Sequence, residues 1–430
     1  MKKRVRRTAL CILTSETRRS AQLISQFPLN KYRKAPKGLF SFSGFLYLQL
    51  MISKGLHFIS ITILFVLVAC RQPKEDAVSL KLKEYIREKA EKAGFSGNVL
   101  VIERGKTLLR ISFGKADSAL NIPISFETKY PIFSITKMFT AAGILQLEDK
   151  GKLKVTDRLS KYFPKFPNGD EITVEMLLSH RSGLPKGWFI TEEEELKYQK
   201  RQLSEDTIRK LIFREIELNK KNLSKDSIVK IIEARGLLFK PGTDFNYSNL
   251  GYILLGYIIE KTSRQSFKDY ITSNILKPIG MNNSGVLTQD DVNPILTNSY
   301  YHSLYGNKLI ASDQASWNMV SSDGNIYSTS DDLYKWMKGL MDNKILSEAG
   351  KKKMFTEHSE NYGFGVGLHK LFGYQTFNHD GGYLGLDNVI VFFPEKDLFF
   401  LVFKNKEIDI SAGKIMYNLA KIMLERQNQK

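Results

Sequence analysis

Ser134 and Lys137 lie three residues apart in Ser134-Ile135-Thr136-Lys137, followed along the chain by Tyr247-Ser248-Asn249 and then His379-Asp380-Gly381. Serine attacks a carbonyl well only after a base takes its proton, and a lysine one helical turn later shares its face. Tyr247 and Asn249 would complete the cluster. Together these residues read as a nucleophilic serine hydrolase.

Ser-x-x-Lys also occurs at Ser112, Ser227 and Ser411 in this lysine-rich chain, so context must separate them. Ser112 falls in an alternating, strand-like run, Ser227 in a charged helical stretch and Ser411 near the start of the last helix. Ser134 alone opens a helix apolar on nearly every side, with Met138, Phe139, Ala141, Ala142, Ile144, Leu145 and Leu147, as a helix through a core should be. Its N-terminal amides are expected to face the cleft, where a positive helix end favours the charge that develops on a carbonyl under attack. The plain alternative is an N-cap serine beside a solvated lysine.

Around these residues the chain resembles the serine β-lactamase and penicillin-binding-protein superfamily, in the group related to class C β-lactamases and D-Ala-D-Ala carboxypeptidases. The matching runs are Tyr130-Pro131-Ile132-Phe133-Ser134-Ile135-Thr136-Lys137, Leu177-Leu178-Ser179-His180-Arg181-Ser182-Gly183-Leu184-Pro185, and the stretch from Pro241-Gly242-Thr243 through Tyr247-Ser248-Asn249 to Leu250-Gly251-Tyr252. Pro278-Ile279-Gly280-Met281, Ile326-Tyr327-Ser328-Thr329 and His379-Asp380-Gly381-Gly382 follow in order, so the likeness covers roughly residues 80–425.

The third motif departs from the family's penicillinases, which carry Lys-Thr-Gly there. Lysine is a permanent cation that can hold a substrate carboxylate, whereas histidine is mostly neutral at pH 7. A His-x-Gly triplet resembles carboxypeptidases, D-amino-acid peptidases and carboxylesterases more than dedicated β-lactamases. The plain alternative for His379 is a strand-end histidine satisfied by hydrogen bonds.

The resemblance implies roles as well. Ser134 is the nucleophile, with Lys137 and Tyr247 as acylation base and proton carrier in an order the sequence leaves open. The backbone amides of Ser134 and Gly382 form the oxyanion hole. Asn249 holds Lys137 and the substrate, while His379, with Gly381 and Gly382, positions the substrate and tunes Tyr247. A neighbouring cation is expected to lower the tyrosine pKa and a crowded site the lysine pKa.

The elements fit an α+β fold of the β-lactamase/transpeptidase type, with an antiparallel sheet flanked by terminal helices and a mainly helical second lobe at about 115–320. Leu82, Ile86 and Ala90 recur at helical spacing over 78–93, and 98–103 and 107–113 read as strands joined by Arg104-Gly105-Lys106. Residues 363–371, 374–379, 388–393 and 398–404 read as four more strands, with a turn at Pro394-Glu395-Lys396-Asp397, and 408–426 as a final helix. The site would lie between the lobes. Residues 186–240 carry Glu192 to Glu195, Lys220-Lys221 and Lys225, with Leu203, Ile208, Ile212 and Ile216 at helical intervals. We read one or two extra helices there, either a lid near the cleft entrance or a solvated insertion.

From Met51 the chain runs through Lys54, a mostly apolar stretch and Leu67-Val68-Ala69-Cys70, then polar Arg71-Gln72-Pro73-Lys74. The apolar stretch, about 14 residues, is short for a membrane span and suits a signal peptide. That is a bacterial lipoprotein signal over 51–69, with Cys70 as the lipidation site, 70–79 as a tether and the hydrolase domain over 80–428. Residues 1–50 match no domain, and the expected translation start is Met51. The alternative is an uncleaved internal anchor or a buried apolar segment. The expected location is the cell envelope, membrane-anchored and facing the periplasm or exterior. Residues 1–70 hold 12 Lys and Arg against one acid, so the formal +19 falls to +8 over 71–430, where 52 basic residues face 44 acidic ones. The basicity is largely pre-sequence, which argues against a nucleic-acid partner. With Cys11 and Cys70 as the only cysteines, residues 71–430 form no internal disulfide.

Gly363-Phe364-Gly365-Val366-Gly367 alternates like a strand and lacks nucleotide-loop spacing, the six histidines show no zinc spacing, and no Gly-x-Ser-x-Gly elbow is present. No metal or cofactor is expected. The expected partner is a small-molecule or peptide substrate, a D-amino-acid peptide or a carboxylic ester, with peptidoglycan-derived peptides among the candidates. The alternatives are a β-lactamase, a penicillin-binding sensor whose Ser134 is acylated without turnover, and a non-catalytic peptidoglycan-binding protein.

Overall fold

The computed structural model describes residues 76–289, 296–302, 309–312 and 316–425, so Cys70 and the signal segment lie outside the described residues. In chain order, the elements that build and position the site are helix α1 (Ala77–Lys92), strands β1 (Gly97–Glu103) and β2 (Lys106–Phe113), helix α2 (Thr136–Asp149), helices α3 (Glu192–Gln199), α4 (Glu205–Asn219) and α5 (Lys225–Glu233), helix α6 (Asn249–Ser263), strands β3 (Gly367–Leu371), β4 (Tyr374–Tyr383), β5 (Leu386–Phe393) and β6 (Leu398–Lys404), and helix α7 (Ala412–Glu425).

The six strands form one sheet in the order β3-β4-β5-β6-β1-β2, antiparallel at every pairing. The chain's two ends meet where β1 pairs with β6, Val99 opposite Val402 and Val101 opposite Phe400. Period-two alternation divides the apolar residues between two cores. Leu100, Ile102, Phe399, Leu401 and Phe403 face the helical lobe. Val99, Val101, Phe400 and Val402 face the terminal helices, where Leu82 and Ile86 of α1 meet Ile415, Leu419 and Met423 of α7. A sheet covered on both faces needs strands apolar on both sides, which is how β6 reads from Leu398 to Phe403.

Several boundaries shift by a few residues from the sequence reading, the last helix starting at Ala412 instead of 408, and two shifts bear on the site. Strand β4 does not stop at His379 but runs on through Asp380, Gly381 and Gly382 to Tyr383, held by pairing of Gly381 with Asn388 and Gly382 with Asp387. The third motif is therefore sheet, not strand end. Gly363 to Val366 precede β3 instead of belonging to it, because Gly365 has φ +71° and passes the Lys137 carbonyl so closely that a Cβ would lie 2.6 Å from it.

Helix α2 is buried from Thr136 to Leu147. Phe139 stacks on Trp336 at 3.8 Å between ring centroids, and a Cβ at Gly143 would lie 3.0 Å from Ile259 of α6, so the glycine lets these helices close on each other. The middle of the chain is helical with small sheets among the helices: Tyr130–Pro131, Ile326–Ser328 and Gly285–Val286 form one, Tyr300–His302 and Leu309–Ala311 another. The insertion holds three helices, α3 to α5, one more than expected. Each starts at a hydroxyl N-cap, Thr191, Ser204 or Ser224, and Thr191 makes a full capping box with Glu194. Phe189, Ile190 and Leu211 give the segment a small core of its own.

Candidate active site

Ser134 sits in the 3-10 turn Phe133–Ile135, immediately before α2. Phe133 holds a left-handed φ of 43°, a conformation costly for an aromatic residue and common where surrounding structure dictates a reactive group's position. The opposite wall is β4. A Cβ at Gly381 would lie 2.1 Å from the Ile132 carbonyl oxygen and 2.9 Å from the Ser134 nitrogen, so only glycine lets strand and turn meet.

Lys137 is fully buried. Its Nζ donates to Ser134 Oγ at 3.0 Å and to the Asp323 carbonyl oxygen at 3.0 Å, and lies 5.0 Å and 5.6 Å from the ring centroids of Tyr247 and Tyr252. Burial pushes its pKa down to about 8, against the opposing pull of Asp323 and Asp380. Asp323 moves the other way, up to about 6, because burial disfavours its charge more than Lys137 favours it.

The Tyr247 phenol bonds Ser134, but its pKa is raised above the ordinary tyrosine range by burial and by the charges of Asp380 and Asp323. This corrects the expected lowering. The hydrogen bond with Ser134 pulls the pKa down, but desolvation and two carboxylates outweigh that pull. Tyr247 is therefore a neutral phenol beside a lysine whose amine is accessible near neutrality.

The run around His180 supports the second motif. His180 stacks on Tyr247 at 4.3 Å between centroids, and its Nδ1 accepts from the Ser248 amide at 3.0 Å. The Ser248 hydroxyl donates to the Pro185 carbonyl at 2.7 Å and caps α6 by accepting from the Gly251 amide. The Asn249 amide donates to the Lys186 carbonyl at 2.9 Å. The expected hold of Asn249 on Lys137 is replaced by the Asp323 carbonyl, and the Asn249 Oδ1 is buried with no hydrogen-bond partner.

His379 does not line the cleft. Alternation along β4 turns it inward, 4 % exposed, and leaves Asp380 outward. Its Nδ1 lies 2.6 Å from the Asp380 carbonyl, and its Nε2 lies 3.0 Å from the Tyr362 hydroxyl. A carbonyl oxygen only accepts, so Nδ1 carries the proton and Nε2 accepts from Tyr362. Burial pushes its pKa down to about 4, so the ring is neutral at pH 7. Direct positioning of substrate by this side chain, expected from the sequence, does not fit its place behind the wall. It packs 6.5 Å from the Tyr247 ring.

The cleft is about 1270 Å³ and carries Ser134, Tyr247, Asn249, Asp380, Gly381 and Gly382 on its walls. The insertion closes one side through Tyr198, Leu203, Ile208, Glu215 and Ile216, so it is part of the site and not a solvated appendage. Sequence reasoning missed Asp323, Tyr362 and Glu215. Asp323 had one signal, the turn-rich Ser321-Ser322-Asp323-Gly324-Asn325 run. The other two had none. Among the described residues no group of three or more His, Cys, Asp or Glu gathers to hold a metal.

A serine with its amine partner, a phenol on the same hydroxyl and a glycine-tight strand alongside can be compared with known proteins. The β-lactamase family model matches residues 82–420. A putative penicillin-binding protein of Bacillus subtilis is 28 % identical over 335 residues, 78 % of this chain and 76 % of that protein. The octameric penicillin-binding protein homologue of Pyrococcus abyssi superposes with a TM-score of 0.67 at 26 % identity, over 80 % of this chain and 77 % of that one. A D-amino acid amidase of Ochrobactrum anthropi matches in fold, with a TM-score of 0.65 at 20 % identity, over 83 % of this chain and 100 % of that one. With the family model spanning every element that builds the cleft, this chain belongs to the β-lactamase family, within the serine hydrolase superfamily that includes the penicillin-binding proteins.

Proposed function

We propose that the protein hydrolyses an amide or ester carbonyl, of a D-amino-acid peptide or a carboxylic ester, through an acyl-enzyme on Ser134. The carrying observation is the buried Lys137 amine 3.0 Å from the Ser134 hydroxyl. Neutral Lys137 takes the Ser134 proton as Oγ bonds to the carbonyl carbon. The Ser134 and Gly382 amides receive the oxyanion. As the carbonyl–leaving-group bond breaks, the Tyr247 phenol gives its proton to the departing nitrogen or oxygen and is reprotonated from Lys137. Water then attacks the ester, yielding the acid and free Ser134. Gly381 holds the strand against the turn, and His379 with His180 fixes the Tyr247 ring.

Asp380 stands where a penicillinase has the threonine of Lys-Thr-Gly, and no lysine precedes it. A carboxylate on that wall disfavours the β-lactam carboxylate, which supports peptide or ester over antibiotic. The relatives' naming as penicillin-binding proteins favours one second reading, acylation by penicillin without turnover. The test is labelling by a fluorophosphonate and by a fluorescent penicillin, with turnover of p-nitrophenyl butyrate and D-peptides, in wild type and Ser134→Ala. Turnover and labelling that vanish in the variant support the proposal, and equal labelling of both proteins overturns it. Lipid anchoring through Cys70, facing the periplasm or exterior, belongs to the same proposal and is supported by the 51–70 sequence pattern.

A further inference from the structure

Behind the nucleophile a side chamber of about 60 Å³ opens from the region of the cleft, and Ser134, Glu215, Asn249, Asp323 and Gly382 are on its wall. Glu215 comes from α4, in the inserted segment, and also lines the main cleft. Three oxygen-bearing side chains therefore converge beside Ser134. The Asn249 Oδ1 is buried without a donor. Asp323 accepts backbone bonds from Ser321, at 3.1 Å, and from its own amide. Burial raises Glu215 to about 7, opposed by Lys186, whose Nζ lies 5.5 Å from the Tyr198 ring, and reinforced by Asp323. Lys137 and Lys186 offset part of this charge, but neither lines the chamber, and the unpartnered Asn249 oxygen beside the Glu215 carboxyl favours a donor that carries positive charge.

We propose that this chamber receives the free ammonium group of the substrate's acyl half, with Glu215 and Asn249 as its acceptors, so that the preferred substrate is an aminoacyl amide or ester with an unblocked amino group. The inference rests on the hydrolase reading above and names the substrate class within it. An α-ammonium lies two bonds from the carbonyl carbon, which suits a chamber sharing Ser134 with the cleft. N-acylation removes the positive charge and leaves a single amide N–H to face these acceptors. Glu215 is a specificity residue supplied by the insertion.

The test compares kcat/KM for D-alanine p-nitroanilide and its N-acetyl derivative in wild type, Glu215→Gln and Glu215→Asp, with thermal unfolding of each. A free-amine preference of about tenfold or more in wild type, collapsing in Glu215→Gln and partly kept in Glu215→Asp, supports the proposal. Equal use of both substrates by wild type, or an equal loss on both in Glu215→Gln, overturns it. Calorimetry on Ser134→Ala keeps the two readings apart because it needs no turnover. D-alaninamide should bind and N-acetyl-D-alaninamide should not, with binding lost when Glu215→Gln is added. Failure of wild type to turn over any ester or anilide would sink the hydrolase reading, while absence of this binding difference would sink the ammonium site.

Discussion

Gly381 and Ser134 touch through their backbones: a Cβ on the glycine would lie 2.9 Å from the serine nitrogen, and 2.1 Å from the Ile132 oxygen just before it. Neither obstacle is the end of a flexible side chain, so an added methyl must move strand β4 or the turn that carries Ser134. Gly381→Ala should lower kcat on p-nitrophenyl butyrate by about a hundredfold, since misplacement by about 1 Å costs that much. Wild-type kcat in this variant would show that the contact does not set the position of Ser134.

As the proposed base, Lys137 would work only in its neutral form, which dominates above its pKa. Burial brings that pKa from the ordinary lysine value of 10.5 down to about 8. Activity should therefore rise with pH through about 8, not through the ordinary lysine range, and level off above it. Lys137→Ala should remove this limb and cost at least about a hundredfold in kcat/KM. A flat pH–rate profile between 6 and about 9 would assign the base elsewhere.

His379→Ala should act on stability. The ring is the acceptor for the buried Tyr362 hydroxyl at 3.0 Å and packs against Tyr247. Its loss removes one acceptor of that hydroxyl, leaving Tyr252 as its hydrogen-bond partner, and opens a space beside the Tyr247 ring. Denaturant unfolding should show a loss of about 1–3 kcal/mol. The neutral ring should contribute no titration between pH 5 and 8, because its pKa is down at about 4. An NMR titration of the ring near pH 6.5 would contradict the buried placement.

The proposed anchor has its own test. A chain starting at Met51 and expressed in a bacterial host should enter the membrane fraction, and Cys70→Ser should be released or left unprocessed. Residues 1–50 found on the mature protein by mass spectrometry would rule out a start at Met51.

Much of the sheet was legible because alternation is a local property. The pairs of faces on β1 and β6 follow from period two, and the 3.6-residue rhythm of Leu82 and Ile86 or Ile415 and Leu419 marks the terminal helices. Ser134 and Lys137 were legible for the same reason, since three residues on one helical turn bring the two side chains together whatever else the chain does. The extent of β4 was not. Two glycines argue against a strand interior, and what keeps Gly381 and Gly382 in the sheet is pairing with Asn388 and Asp387 together with the closeness of the Ser134 turn.

Residue chemistry and order along the chain were enough to bring Ser134, Lys137, Tyr247 and the third motif into one expected site. Their ionisation states belonged to the tertiary structure. Whether Lys137 is lowered, Tyr247 raised and His379 neutral depends on how much water is excluded by segments distant in sequence, and on where Asp323 and Asp380 stand. The same holds for Glu215. Its position near Ser134 comes from the packing of an inserted helix whose sequence reads only as a charged amphipathic stretch, and no local pattern records which wall of the cleft such a helix will face.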